Sequence, residues 1–121
     1  MPRIDVVLYK EDDGNVPLID WLDRLPKKIS TKCWEMIDIL HESGYDLRRP
    51  YCDYLRDKIY ELRLRYRKIN YRMLYFYHHS EVIVVSHGLT KRDKIPNKEI
   101  DLAIRRRQKF FAKPNKHTYW R

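Results

Sequence analysis

Three strand patterns follow one another through the middle of the chain, and each carries cations among its apolar residues. In the first, Tyr60, Leu62 and Leu64 fall on one face while Glu61, Arg63 and Arg65 fall on the other, because side chains alternate along a strand. In the second, Tyr71, Met73, Tyr75 and Tyr77 alternate with Arg72, Leu74 and Phe76, so both faces are apolar except at Arg72. The third, residues 82–85, is apolar on both faces and predicts a central strand covered by helices on each side. The spacers 65–68 and 78–81 are short enough for antiparallel hairpins.

The flanking segments supply the covering helices. Residues 4–9 predict a short β-branched strand, followed by a turn at 11–15 rich in Asp, Gly and Asn. Pro17 suits a first helical turn, and Leu18, Trp21, Leu22 and Leu25 form one apolar stripe that Pro26 ends. Ile29, Cys33, Met36, Ile37 and Leu40 make a second stripe closing at Ser43-Gly44, so the two helices form a hairpin. Residues 45–57 have no period and include Arg48-Arg49-Pro50, which predicts a loop. Pro96 and Glu99 announce a last helix with Ile100, Ala103, Ile104 and Phe111 inward and residues 105–107 mostly facing solvent. The expected fold is therefore α+β: a mostly antiparallel four-stranded sheet, an N-terminal helical hairpin and a C-terminal helix, in the order β-α-α-β-β-β-α. One domain is expected over residues 1–121, with a basic tail at 113–121 open to fraying.

Charge narrows the function. Lys and Arg number 26 against 17 Asp and Glu, a formal +9 with a pI near 9.6, and the charged fraction of 36% exceeds the roughly 25% usual in globular domains. Such a balance points to a polyanionic partner, nucleic acid before an anionic membrane or an acidic protein. The two cysteines, Cys33 and Cys52, have no metal or disulfide spacing, and no apolar run is long enough for a signal core or a membrane span. A reduced, cytoplasmic protein is expected. The five histidines show no metal-binding spacing, the three glycines make no phosphate loop, and Cys33 on an apolar helical face is more a packing residue than a nucleophile. No metal and no cofactor are expected.

What remains is the cationic set Arg63, Arg72, Lys91 and Arg92, joined by Arg65, Lys68 and Lys94. Lys and Arg at strand edges also guard against aggregation, which accounts equally well for Arg65, Lys68 and Lys94. Arg72 is different, since an unpaired charge buried in an apolar strand is costly. Either it pairs with Glu61 or Glu35, or it lines an open anion site. Cleavage of RNA needs only such groups, because the substrate's own 2′-hydroxyl is the nucleophile and guanidinium groups can hold the extra charge of a pentacoordinate transition state.

These residues also carry a family likeness. Leu47, Pro50, Leu55, Asp57, Ile59-Tyr60-Glu61-Leu62-Arg63, Tyr71-Arg72 with Leu74-Tyr75-Phe76, His87-Gly88-Leu89, Lys91-Arg92, Pro96, Glu99-Ile100 and Ala103 resemble the pattern of the RelE/ParE toxin superfamily, within it the HigB-type, phage-derived toxins of type II toxin-antitoxin systems. The likeness covers about residues 47–104. It implies a small RelE-like fold and a ribosome-dependent mRNA endonuclease that acts without a metal ion, on mRNA at the ribosome, and is neutralised by a cognate antitoxin protein. Operator DNA would be met only through that antitoxin. By the same likeness Arg72 takes the place of the arginine that stabilises the phosphate, Lys91-Arg92 complete the catalytic set, and Arg63 matches a common basic position. Glu61 stands where some relatives have lysine, and the tyrosine some use near the C-terminal end has no counterpart. The acid-base candidates are Glu61 and His87, the latter equally readable as a packed strand histidine. The antitoxin is expected in the groove between the helical hairpin and the sheet or near the last helix.

The alternative is a ParE-type protein that inhibits DNA gyrase by binding alone, since one fold hosts both functions. Converging phosphate ligands favour the nuclease. A basic protein that merely packages nucleic acid is the third possibility, distinguished by binding that survives loss of Arg72.

Overall fold

A computed structural model describes residues 3–90 and 93–121. Its elements are β1 (Asp5–Tyr9), α1 (Pro17–Asp23), α2 (Lys27–Ser43), β2 (Cys52–Arg56), β3 (Ile59–Tyr66), β4 (Ile69–His78), β5 (Val82–Thr90), α3 (Asn97–Ala112) and β6 (Thr118–Tyr119), with a 3-10 turn at Gly44–Asp46. The strands form one open sheet in the order β2-β3-β4-β5-β1-β6. All neighbours are antiparallel except β1 and β5, which run parallel with Asp5 opposite Val82 and Leu8 opposite Val85.

The expected α+β class and both helical segments of the hairpin are present, but the sheet has six strands, not four. One extra strand is β2, where a loop was expected. Neither face of β2 is fully buried, so its residues carry no apolar alternation, and their pairing with β3 is what makes them a strand. The other is β6. Far from fraying, the tail pairs with β1, stacks buried His117 on Tyr9 with ring centroids 5.1 Å apart, and ties Arg121 to Asp38 at 2.9 Å.

Alternation divides the core into two layers. Val6, Leu8, Leu62, Met73, Tyr75, Ile83 and Val85 pack against α1 and α2, while Val7, Tyr9, Ile59, Leu74, Phe76 and Val84 pack against α3. Strand β5 is thus covered on both faces, as its sequence predicts. On α3 the buried positions are Ile100, Ala103, Arg106 and Phe110. Phe111, expected inward, is exposed, because the spacing from Ala103 through Arg106 brings Phe110 onto the buried stripe instead. Arg106, expected at the surface, is buried and paired with Glu11 at 2.7 Å beside the Tyr9 ring.

Two local constraints are testable. Gly88 leaves room for the Trp21 ring of α1 on the sheet, and a Cβ there would overlap that ring. Gly88→Ala is expected to lower unfolding free energy by about 1 to 3 kcal/mol in urea titration. The β4–β5 hairpin turns through His79 (φ 53°) and Ser80 (φ 59°), a left-handed pair without glycine. Ser80→Gly is expected to raise stability by about 0.5 to 1 kcal/mol, a few degrees in thermal melts, because relief of left-handed strain exceeds the added chain entropy.

Candidate active site

The sheet's alternation and the β3–β4 register bring the central candidates together. Arg63 and Arg72 are directly opposed across the two strands, and Glu61 lies on the same face two residues before Arg63. The Glu61 carboxylate sits between the two guanidinium groups, 3.5 Å from Arg72 Nε and 3.8 Å from Arg63 Nε. Asp53 of β2, opposite Glu61 in register, approaches Arg63 at 3.7 Å and binds Arg49 at 3.1 Å. Arg72 also donates from Nη1 to the Asp93 carbonyl at 2.8 Å. Of the two expectations for Arg72, pairing with Glu61 is therefore what the fold contains; Glu35, on α2 across the sheet, is not its partner.

The centre of the cluster is buried and its rim is partly exposed. The side chains of Arg72 and Glu61 are only 11% and 6% exposed. Burial pushes the Glu61 carboxyl above its ordinary range and Asp53 adds to the rise, while Arg72 and Arg63 oppose it. The contacts are ion pairs without hydrogen-bond alignment, leaving Glu61 Oε1, Arg63 Nε and Arg72 Nε without a hydrogen-bond partner among the described residues. Two closely opposed guanidinium groups around one imperfectly bonded carboxylate make a face that can exchange that carboxylate for another anion.

The other candidates are dispersed. Arg65 continues the Glu61–Arg63 row and is exposed, Lys68 lies in the β3–β4 turn, and Lys94 follows Asp93 at the surface. Lys91 and Arg92 lie outside the described residues. His87 is not in the cluster. It sits at a bulge in β5, buried, with Nδ1 2.7 Å from Ser86 Oγ and Nε2 2.9 Å from Glu99 Oε1. Both ring nitrogens are engaged, and burial together with Arg106 lowers its pKa. This is the packed strand histidine, held in a buried chain that continues from Ser86 to Arg106 and Glu11. Cys33 is likewise a core group, its thiol pushed up to about 12 by burial.

Asp53 and Asp93 carry no sequence signal of their roles: the first lies in a segment without period, and the second acts through its backbone. Arg106 and Glu11 stand 95 residues apart and meet only because α3 crosses the sheet beside β1.

The sequence matches the family described as "Phage derived protein Gp49-like (DUF891)" over residues 20–108, which includes all the clustered residues. The chain belongs to this Gp49-like family. No curated protein matches it at a significant level. Among the described residues of this Gp49-like chain, no helix is long and apolar enough to cross a membrane.

Because the folded state holds Glu61 above the ordinary carboxyl range, it binds that proton more tightly than the unfolded chain does. The group's stabilising contribution is complete below the ordinary glutamate value and is lost as pH rises through the raised one. Glu61→Gln abolishes this loss. In urea unfolding from about pH 4 to about pH 7, the stability of the variant relative to wild type is expected to climb with pH; a flat or falling difference would contradict the burial-raised carboxyl.

Proposed function

We propose that this Gp49-like protein is the toxin of a type II toxin-antitoxin system and acts as a metal-independent, ribosome-dependent mRNA endonuclease. The observation that carries this reading is the pair Arg63 and Arg72, opposed across β3 and β4 around a single buried carboxylate. The formal +9 charge supports it, as does the likeness of residues 47–104 to HigB-type toxins, a stretch within the family-matched span 20–108.

In this reading the nonbridging oxygens of the scissile phosphate replace Glu61 as partners of both guanidinium groups. The Glu61 carboxylate, freed from the two guanidinium groups that lower its pKa, takes the 2′-hydroxyl proton. The 2′-oxygen bonds to phosphorus, the bond from phosphorus to the 5′-oxygen breaks, and a 2′,3′-cyclic phosphate remains. Arg63 and Arg72 hold the negative charge gathered on the equatorial oxygens, and the departing 5′-oxygen takes its proton from a lysine, Lys91 in the catalytic set that the likeness implies. Lys94, with Arg65 and Lys68, steers the RNA backbone. A cognate antitoxin silences the site in the host.

The test is inducible expression with 5′-end mapping of cellular mRNA. Removing Arg72 alone strands a buried carboxylate, so the informative variant is the double substitution Glu61→Gln with Arg72→Gln, whose melting curve reports folding independently. New 5′ ends are expected with wild type and a fall of about 100- to 1,000-fold or more in the folded double variant. Growth arrest with intact messages would overturn the endonuclease in favour of gyrase inhibition.

A further inference from the structure

At the β2 edge of the sheet, with its tyrosine wall on the face opposite the charged cluster, a cleft of about 1010 Å³ opens between the 3-10 turn, the β2–β3 hairpin and the end of α3. Its wall is aromatic and fixed. Tyr45 stacks on Tyr77 with centroids 4.7 Å apart, Tyr60 stacks on Tyr75 at 5.5 Å, and Tyr54 meets Tyr60 edge-on at 5.2 Å. Hydrogen bonds hold the outer two rings: Tyr45 donates to the Ser80 carbonyl at 2.6 Å, and the Lys58 amide donates to the Tyr54 hydroxyl at 3.1 Å. Tyr54 and Tyr45 are nevertheless 52% and 41% exposed, so ring surface faces the opening.

Three of the cations lining the cleft have no carboxylate partner among the described residues. Among the described residues, Arg48 donates only to the carbonyls of Tyr45 and Leu47, Arg107 only to that of Asp57, and Lys58 has no carboxylate partner. Asp53, the one acid lining it among the described residues, is taken by Arg49 and Arg63. A planar aromatic group bearing negative charge satisfies both features, and a nucleotide is that combination. The volume, at the top of the roughly 300 to 1,000 Å³ range of small-ligand pockets, leaves room for more than one. Asp53 also gives continuity, since its carboxylate joins Arg49 on the cleft to Arg63 in the cluster.

We infer that this cleft receives nucleotides of single-stranded RNA flanking the scissile phosphate, bases against Tyr45 and Tyr54 and phosphates against Arg48, Lys58 and Arg107, an assignment that rests on the RNA reading above for the identity of the strand. An uncleavable strand separates the two. The full-length protein, labelled with 15N, is titrated with 2′-O-methyl hexaadenylate and, in parallel, with adenosine monophosphate. Saturable shifts at the amides of Tyr54, Lys58 and Arg107 are expected, with the strand bound at least about tenfold more tightly than the mononucleotide. Tyr54→Ala and Lys58→Gln, both at exposed positions, are each expected to weaken strand binding about five- to hundredfold. Unchanged affinity in both variants, or shifts here only with an antitoxin peptide, would overturn the assignment. Equal affinities for strand and mononucleotide would also overturn it, in favour of a free nucleotide. If the strand binds here but messages stay intact in cells, the nuclease reading falls while the cleft stands.

Discussion

The parallel pairing of β1 with β5 governs the rest of this molecule. It carries the N-terminus into the middle of the sheet, and that forces α1 and α2 to cross one face before the chain returns at β2. The strands 52–90 then form a continuous antiparallel meander, and α3 crosses the opposite face. β5 becomes buried on both sides, which explains its unbroken apolar run. Gly88 serves this arrangement, because only a residue without a side chain admits the Trp21 ring so close to the strand. The meander leaves β3 and β4 with one end of their α3-side face free of apolar covering, and the charged cluster occupies that end.

Charge compensation decides what the cluster is. Two arginines at opposed positions on adjacent strands repel each other unless an anion lies between them, and Glu61 is that anion in the folded protein. The pairing answers the cost of burying Arg72, yet it lacks the hydrogen-bond alignment of a strong structural ion pair. By contrast, the chain Glu99–His87–Ser86–Arg106–Glu11 is closely bonded at 2.7 to 3.3 Å, with His87, Ser86 and Arg106 buried between two partly exposed carboxylates. The two polar systems share one face of the sheet and differ in tightness, and the looser one is the better suited to exchange its anion for a phosphate.

Much of this was legible beforehand. The period-two alternation in β3 and β4 placed Glu61, Arg63 and Arg65 on one face and singled out Arg72, because a charge in an apolar strand is a conspicuous exception. The stripes of α1 and α2 and the stop at Gly44 were equally plain. The strand nature of residues 52–56, the seating of the tail on β1 and the burial of Arg106 were hidden. Each depends on a partner far along the chain: β3 for the first, β1 for the second, Glu11 for the third. The aromatic cleft was hidden for the same reason, since Tyr45, Tyr54, Tyr77 and Arg107 come from four separate elements.

The sequence alone thus determined the secondary structure wherever residues repeat at 2 or 3.6, the basic surface, and the arginine that needed a counter-ion, because all of these are set by local chemistry. Only the tertiary structure decided which carboxylate meets Arg72, that His87 is locked in the core, and where uncompensated cations gather beside tyrosines. Those outcomes depend on register and on helix packing across the sheet, which bring together side chains that no local pattern relates.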